Sequence, residues 1–156
     1  MGDKNPSVAG LVDAGPSEIA NKPTEPTFKL GLTANKIIFK CGEDRKPVSV
    51  PIKIFNPTQA TVSFKIRCTS ADIFRVQPPI GIVKAQGVTD IIIWFQNTQK
   101  VDKNINKHYF AFYHTKADSR TPKEIWSNAK PDGVRRIPAI FEYTGEKKSV
   151  SQASAT

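Results

Sequence analysis

The sequence predicts an all-β fold, an immunoglobulin-like sandwich of seven antiparallel strands with one short connecting helix. Two observations indicate this fold. The chain has twelve prolines and few helix-forming runs, and about seven strand-like segments follow each other at intervals of roughly 10 to 20 residues. At 156 residues the chain is long enough to bury a hydrophobic core as a single domain.

Alternation of apolar and polar residues identifies the strands. Residues 48–55 and 62–68 both alternate, and the segment 56–59 (NPTQ) between them predicts a turn, so we expect an antiparallel hairpin with one buried face. The second half of residues 88–95 is apolar on both faces, which predicts a central strand covered on both sides. The remaining predicted strands are residues 30–40, 73–76, 105–115 and 134–143.

A capping box predicts the helix. Thr121 is followed three residues later by Glu124, and a proline stands at the first helical position between them. The Pro-Asp-Gly segment at residues 131–133 is typical of a helix end. We therefore expect a short helix from Pro122 to about Ala129.

Composition and charge divide the chain into three parts. Residues 1–27 and 146–156 are rich in small and turn-forming residues without a sustained period, which predicts a flexible N-terminal arm and a flexible C-terminal tail around a domain at residues 28–145. The net charge is +9, and residues 28–145 hold 19 basic against 9 acidic residues. The positive charge therefore belongs to the folded domain and favours an acidic partner, whether protein, anionic membrane surface or nucleic acid.

The compartment follows from what the sequence lacks. It has no apolar leader, and none of its apolar runs approaches the roughly 20 residues that a membrane helix requires. Cys41 and Cys68 are too few for a disulfide framework and are expected to be buried free thiols in a reducing compartment. We expect a cytoplasmic protein without a membrane span.

Neither catalysis nor metal binding is indicated. His108 and His114 are the two histidines, and they lie on one predicted strand about 20 Å from each other along it, too far apart to share a metal ion. No Cys-x-x-Cys, His-Glu-x-x-His or Gly-x-Ser-x-Gly motif occurs. We expect that the protein is not an enzyme and binds no cofactor.

The segment SFKIRCT at residues 63–69 is the best candidate for a binding surface. If its apolar residues face the core, a period of two places Ser63, Lys65, Arg67 and Thr69 on the opposite face. An ordinary solvated face is the alternative, but like charges on an already basic domain favour an acidic partner. Nucleic acid is a weaker candidate because recognition-helix modules are absent. The predicted partner-binding residues are Lys65, Arg67, Thr69, Arg75, Lys107, Arg135 and Arg136.

Three segments, taken in order, resemble the major sperm protein domain family. Residues 54–58 (IFNPT) followed by 62–69 (VSFKIRCT) are similar to the family's "N-P-[ST]… F-K-[VI]-[KR]-x-T" hairpin. Residues 74–83 (FRVQPPIGIV) resemble its "V-x-P-x-x-G-[IV]" strand, and residues 132–143 (DGVRRIPAIFEY) resemble the closing strand of the sperm proteins. The order and spacing of these segments make the resemblance specific.

The resemblance implies a non-catalytic sandwich that binds other proteins. One branch of the family forms or regulates the filaments that drive crawling of nematode sperm, and its fibre-associated members carry extra sequence beside the domain. The VAMP-associated branch binds short acidic peptides with two phenylalanines. Lys65, Arg67 and Thr69 match the peptide-binding strand of that second branch.

Other residues favour the sperm branch. Cys68, Tyr109 and Ala111 stand where the peptide-binding branch has a threonine, a lysine and a methionine. The resemblance thus implies an accessory protein or regulator of major sperm protein filaments, located in the cytoskeleton of the sperm pseudopod and binding filaments or their regulators. The alternative is a soluble adaptor for acidic phenylalanine-containing peptides.

Overall fold

The computed structural model describes residues 8, 10–101 and 108–144. Within these residues the chain forms nine strands and one short helix. The strands are β1 (Gly31–Leu32), β2 (Ile37–Cys41), β3 (Val48–Phe55), β4 (Val62–Cys68), β5 (Phe74–Gln77), β6 (Ile80–Val83), β7 (Val88–Phe95), β8 (Tyr109–Lys116) and β9 (Gly133–Tyr143), and helix α1 (Pro122–Trp126) lies between β8 and β9.

The strands form two sheets. One has four strands in the order β1-β3-β7-β5, and the other has five in the order β2-β9-β8-β4-β6. The pairs within them are antiparallel except for β2 and β9, which run parallel. The predicted immunoglobulin-like sandwich is confirmed.

An aromatic core joins the inner faces of the two sheets. Phe39 of β2, Phe95 of β7 and Phe141 of β9 are each at most 4% exposed, and their ring centroids lie between 4.8 and 5.7 Å apart. Burial of a phenylalanine side chain contributes roughly 1.5–3 kcal/mol, and tilted or edge-to-face ring contacts add to it. The inward residues of the alternating strands therefore hold the sandwich together.

The structure has nine strands where about seven were counted. Residues 30–40 are divided between β1 in one sheet and β2 in the other, and β6 forms a further strand after the prolines at positions 78 and 79. The peptide bond between Gln77 and Pro78 is cis. Since proline has no amide donor for a strand ladder, the prolines separate β5 from β6.

The predicted hairpin of β3 with β4 is wrong, because the two strands belong to different sheets. Asn56 anchors the crossing between the sheets. It is fully buried, its side-chain amide donates to the carbonyls of Ala60 and Val83, and its side-chain oxygen accepts from the Thr58 amide. The alternation of apolar and polar residues predicts which side chains share a face of the sheet, but it does not predict which neighbouring strand pairs with the segment.

β7 is less covered than predicted. Ile91, Ile93 and Phe95 are buried, but Ile92 is 40% exposed and Trp94 is partly exposed, so the expectation of a strand covered on both sides is wrong. β7 does lie in the interior of its sheet, between β3 and β5. An outward apolar residue in such a strand meets solvent because only the inner face packs on the other sheet.

The segment 10–27, part of the predicted flexible arm, lies against the start of β9. Thr27 forms a parallel bridge with Val134, and the Val134 amide donates to the Pro26 carbonyl at 3.0 Å. The Asn21 side-chain amide donates to the Val134 carbonyl at 2.8 Å. The predicted tail, residues 146–156, lies outside the described residues.

The remaining chemical expectations concern thiols and membranes. Cys41 and Cys68 are both free cysteines; Cys41 is buried as predicted, whereas Cys68, at the end of β4, is only partly buried. Across the described ranges, none of the helices has the length and apolar character needed to cross a membrane.

Candidate functional site

β4 presents two cations on the outer face of the five-stranded sheet. Phe64 and Ile66 are buried in the core, whereas Lys65 is partly exposed and Arg67 is exposed. Successive side chains of a strand alternate between faces, so both basic residues point outward, roughly 7 Å apart. This is the orientation that the alternation of the sequence predicts.

These two cations line a groove of about 180 Å³. Tyr113 of β8, directly opposite Lys65 in the ladder, and Trp126 at the end of α1 also line it. The remaining lining residues are Ala129 and Pro131. The groove therefore combines two cationic side chains with two aromatic ones.

Helix α1 brings Trp126 to the groove. The Thr121 hydroxyl accepts from the Glu124 amide and the Glu124 carboxylate accepts from the Thr121 amide, so the predicted capping box is present. Ile125 is 1% exposed and fixes the helix to the sandwich. The helix ends at Trp126, earlier than the predicted end near Ala129.

Hydrogen bonds hold Trp126 in place. Its indole nitrogen donates to the Ser63 hydroxyl at 2.9 Å, and that hydroxyl donates to the Gly81 carbonyl at 2.8 Å. The Lys65 ammonium lies 5.9 Å from the centroid of the Trp126 ring, within the range of a cation–π interaction. Trp126 is thus a preorganised wall of the groove.

The groove carries positive charge that no ion pair among the described residues neutralises. In the described part of the chain, no carboxylate forms an ion pair with Lys65 or Arg67, whereas Lys53 on the other sheet is paired with Asp90. Cationic side chains bind carboxylates through charge-assisted hydrogen bonds. The arrangement can bind an acidic segment that carries an apolar side chain for the aromatic walls.

The histidines take no part in the groove. His114 is buried, and its Nε2 accepts a hydrogen bond from the Lys29 amide at 2.9 Å. Burial lowers the pKa of His114 to about 4, so the ring is neutral at neutral pH. Among the described residues, no cluster of three or more histidine, cysteine or acidic side chains could hold a metal ion.

Comparison with known proteins identifies the family of this sandwich. The model of the MSP (Major sperm protein) domain matches residues 29–133. The chain belongs to the major sperm protein domain family. The domains of this family are non-enzymatic structural and interaction modules.

Three proteins are similar to the chain in sequence. Two uncharacterized proteins of Caenorhabditis elegans are similar to it. One is 48% identical, with 92% of this chain and 99% of that protein aligned, and the other is 57% identical, with 75% of this chain and 89% of that protein aligned. Vesicle-associated membrane protein-associated protein B/C of Homo sapiens is 26% identical, with 64% of this chain and 42% of that protein aligned.

Two solved structures of Caenorhabditis elegans proteins share the fold. SSP-19, an MSP-domain protein like family member, has a TM-score of 0.60 at 18% identity, covering 71% of this chain and 97% of its own. WR4, an MSP family member, has a TM-score of 0.61 at 13% identity, covering 72% of this chain and 97% of its own. At such identities the similarity shows the sandwich architecture of this major sperm protein domain alone.

Arg136 shares the outer face of the domain with Arg67. Both lie directly opposite Ala111, one on each side of β8. The Arg136 guanidinium donates two hydrogen bonds to Glu25, at 2.6 and 2.8 Å, and lies 5.9 Å from the centroid of the Tyr109 ring. These hydrogen bonds lower the pKa of Glu25 to about 2. Arg136 is therefore already bound to an acidic group of its own chain.

Arg135 does not join this face, because adjacent residues of a strand point to opposite sides. It donates to the Asp13 carboxylate at 2.8 Å and to the Gly15 carbonyl. The same carboxylate accepts from the Leu32 amide at 2.9 Å, so Asp13 connects β1 of one sheet with β9 of the other. Burial raises the pKa of Asp13, but the hydrogen bonds outweigh it and lower the pKa.

The other predicted partner-binding residues are scattered. Thr69 follows β4 directly, and its hydroxyl accepts from the Tyr109 amide at 3.2 Å, so it lies at the end of the basic strand. Arg75 lies on the four-stranded sheet, opposite Trp94, and the structure separates it from the groove. Lys107 lies outside the described residues.

The aromatic walls are what sequence reasoning missed. Neither Trp126 nor Tyr113 is among the binding residues that the sequence predicts. The capping box located the helix that carries Trp126. The contact of the Trp126 indole with Ser63, 63 residues away in the chain, has no local signal.

Proposed function

We propose that this major sperm protein domain is a non-enzymatic interaction module that binds an acidic segment of a protein partner in the groove beside α1. One observation carries the proposal: Lys65 and Arg67, neither with a carboxylate partner in the described part of the chain, lie beside the aromatic side chains of Tyr113 and Trp126 in one groove. Charge selects the ligand and the aromatic walls give it an anchor.

The size of the site limits how tightly it binds. A groove of about 180 Å³ accommodates a single large side chain, and an exposed ion pair contributes only about 0 to 1 kcal/mol. Binding must therefore come from several contacts together. We expect affinity that falls steeply when salt is raised, since exposed charges are screened within about 8 Å at physiological ionic strength.

We propose filaments of major sperm protein, or regulators of those filaments, as the partner. The family of the chain, its nematode relatives and the likeness of residues 132–143 to sperm proteins support this assignment. The protein would then act as an accessory or regulator of filaments in the sperm cytoskeleton.

Co-sedimentation with preassembled filaments at low and moderate salt tests the proposal. The test variant is Lys65→Glu with Arg67→Glu. Its matched control is Lys36→Glu with Arg75→Glu, which changes the net charge equally at two exposed residues away from the groove. We expect the natural protein and the control to pellet with filaments at low salt, and the test variant to stay in solution. Pelleting of the test variant at the level of the control would refute the role of the groove.

A second candidate function is an adaptor for acidic peptides that contain phenylalanine. The side chains of Tyr113 and Trp126 favour it, because together they can enclose a phenyl ring. Absence of filament binding at low and at moderate salt, with salt-sensitive binding of such peptides, would select this function. Binding that persists when alanine replaces both peptide phenylalanines would count against it.

A further inference from the structure

The N-terminal segment places a carboxylate of its own on the basic face. Glu25 is bound to Arg136, and Arg136 and Arg67 flank Ala111 in one row across three strands. Neighbouring strands lie about 4.8 Å apart, so the backbones of the two arginines are separated by roughly 10 Å. The Glu25 carboxylate thus occupies one end of the surface whose other end is the groove.

A local turn presents this carboxylate. The Glu25 amide donates to the Lys22 carbonyl at 3.0 Å, and the Lys22 amide donates to the Glu25 carboxylate at 2.9 Å. The carboxylate is therefore held in position before it meets Arg136. The turn itself is exposed except at Glu25.

The attachment of the segment is mainly polar. None of the described residues between 10 and 27 is fully buried. The contacts of the segment include the Asp13 and Glu25 ion pairs and hydrogen bonds at Ala14, Asn21 and Pro26. A segment without fully buried side chains opens more readily than the core of the sandwich, and salt weakens its exposed contacts. An acidic partner would be attracted by the same cations.

We propose that the segment around Glu25 is an internal acidic ligand that competes with the partner for the Arg136 end of the basic face. The competition rests on the proposed function, because it needs an acidic ligand that extends from the groove toward Arg136. While Glu25 is bound, the partner reaches Lys65 and Arg67 alone. When the segment is released, Arg136 becomes a third cation of the same site.

The test measures the affinity of the full chain for a labelled synthetic peptide with several acidic residues and two phenylalanines, by fluorescence anisotropy at low salt. The variant is Glu25→Gln, which removes the charge and keeps the size. The control is Glu18→Gln, which removes the same charge from an exposed position of the same segment. We expect Glu25→Gln to bind roughly 3- to 10-fold more tightly than the control, because the competing contact lowers the fraction of open sites.

The outcomes separate the two proposals. Equal affinity of Glu25→Gln and Glu18→Gln, with clear binding by both, would overturn the competition and leave the groove intact. Absence of binding by every form of the chain would overturn the groove and the competition with it. Amide exchange gives an independent readout: the peptide is expected to speed exchange at Val134, whose amide is bonded to Pro26, and unchanged exchange in the saturated complex would also contradict release.

Discussion

His114 should make the stability of the domain depend on pH between the lowered pKa of this histidine in the folded chain and its ordinary value. Burial lowers the pKa of this histidine to about 4 from an ordinary 6.5, and the nearby Lys29 charge lowers it further while Asp132 opposes the shift. Between these two pH values the unfolded chain binds a proton on His114 that the folded chain does not. The free energy of unfolding therefore falls as the pH falls through this window and is unaffected by His114 above it.

The size of the effect follows from the pKa difference. Each pKa unit corresponds to about 1.4 kcal/mol, so lowering the pH from about 7.5 to about 4.5 should cost about 2 to 3 kcal/mol through His114 alone. Asp13 and Glu25, whose pKa values are lowered from 3.8 and 4.5, lose most of their stabilising contribution below about pH 4.5, where most of the His114 effect is already complete. The two sets of groups are therefore separable.

Denaturant unfolding of the natural protein and of His114→Gln, at several pH values across this window, measures the effect. Glutamine has no titrating group, and its side-chain oxygen can still accept the hydrogen bond from Lys29. We expect the free energy of unfolding of the natural protein, minus that of His114→Gln, to fall by about 2 to 3 kcal/mol between about pH 7.5 and about pH 4.5, whatever the offset at neutral pH. Parallel curves of unfolding free energy against pH for the two proteins would refute the reasoning. An NMR titration of the His114 ring with a midpoint near 6.5 would refute it as well.

Two further substitutions test the packing around the same end of the sandwich. Asp13→Asn leaves the partly buried Arg135 without a charged partner. Since the Asp13 side chain is 41% exposed, we expect the free energy of unfolding to fall by roughly 1–2 kcal/mol. A change smaller than the error of the denaturant curves would contradict the role of Asp13 as a bridge between the sheets. In Gly133→Ala the added methyl carbon would lie 2.1 Å from Nε2 of His114, so we expect the domain to be destabilised by about 1–3 kcal/mol. A thermal unfolding midpoint equal to that of the natural protein would contradict this, because it would show that the buried ring moves aside.

Most of the correct predictions from the sequence come from the alternation of apolar and polar residues along the strands. It placed Lys65 and Arg67 outward on β4 because that strand packs its other face on the core. The same rule puts Arg135 and Arg136 on opposite sides of β9, although their adjacency first suggested a joint contribution to one surface. The predicted pairing of β3 with β4 failed because alternation holds whichever sheet a strand joins.

The features that the sequence did not predict are contacts between distant parts of the chain. The composition of residues 1–27 is that of a flexible arm, yet Asp13 and Glu25 each meet an arginine more than 100 residues away. Trp126 reaches the basic strand because its helix is capped and pinned by a buried isoleucine. Neither the two ion pairs nor the position of Trp126 follows from a local sequence pattern, so they are visible only in the structure.

The two tryptophans of the chain provide the most direct test of the groove. Trp126 lines the groove, whereas Trp94 lies on the other sheet with its indole nitrogen bonded to Gln77. In an NMR titration of the ¹⁵N-labelled protein with the acidic, phenylalanine-containing peptide, we predict that the indole signal of Trp126 shifts, that the signal of Trp94 does not, and that Lys65→Glu with Arg67→Glu abolishes the shift. Bound peptide that leaves the Trp126 signal unchanged, or that moves both indole signals alike, would contradict the account.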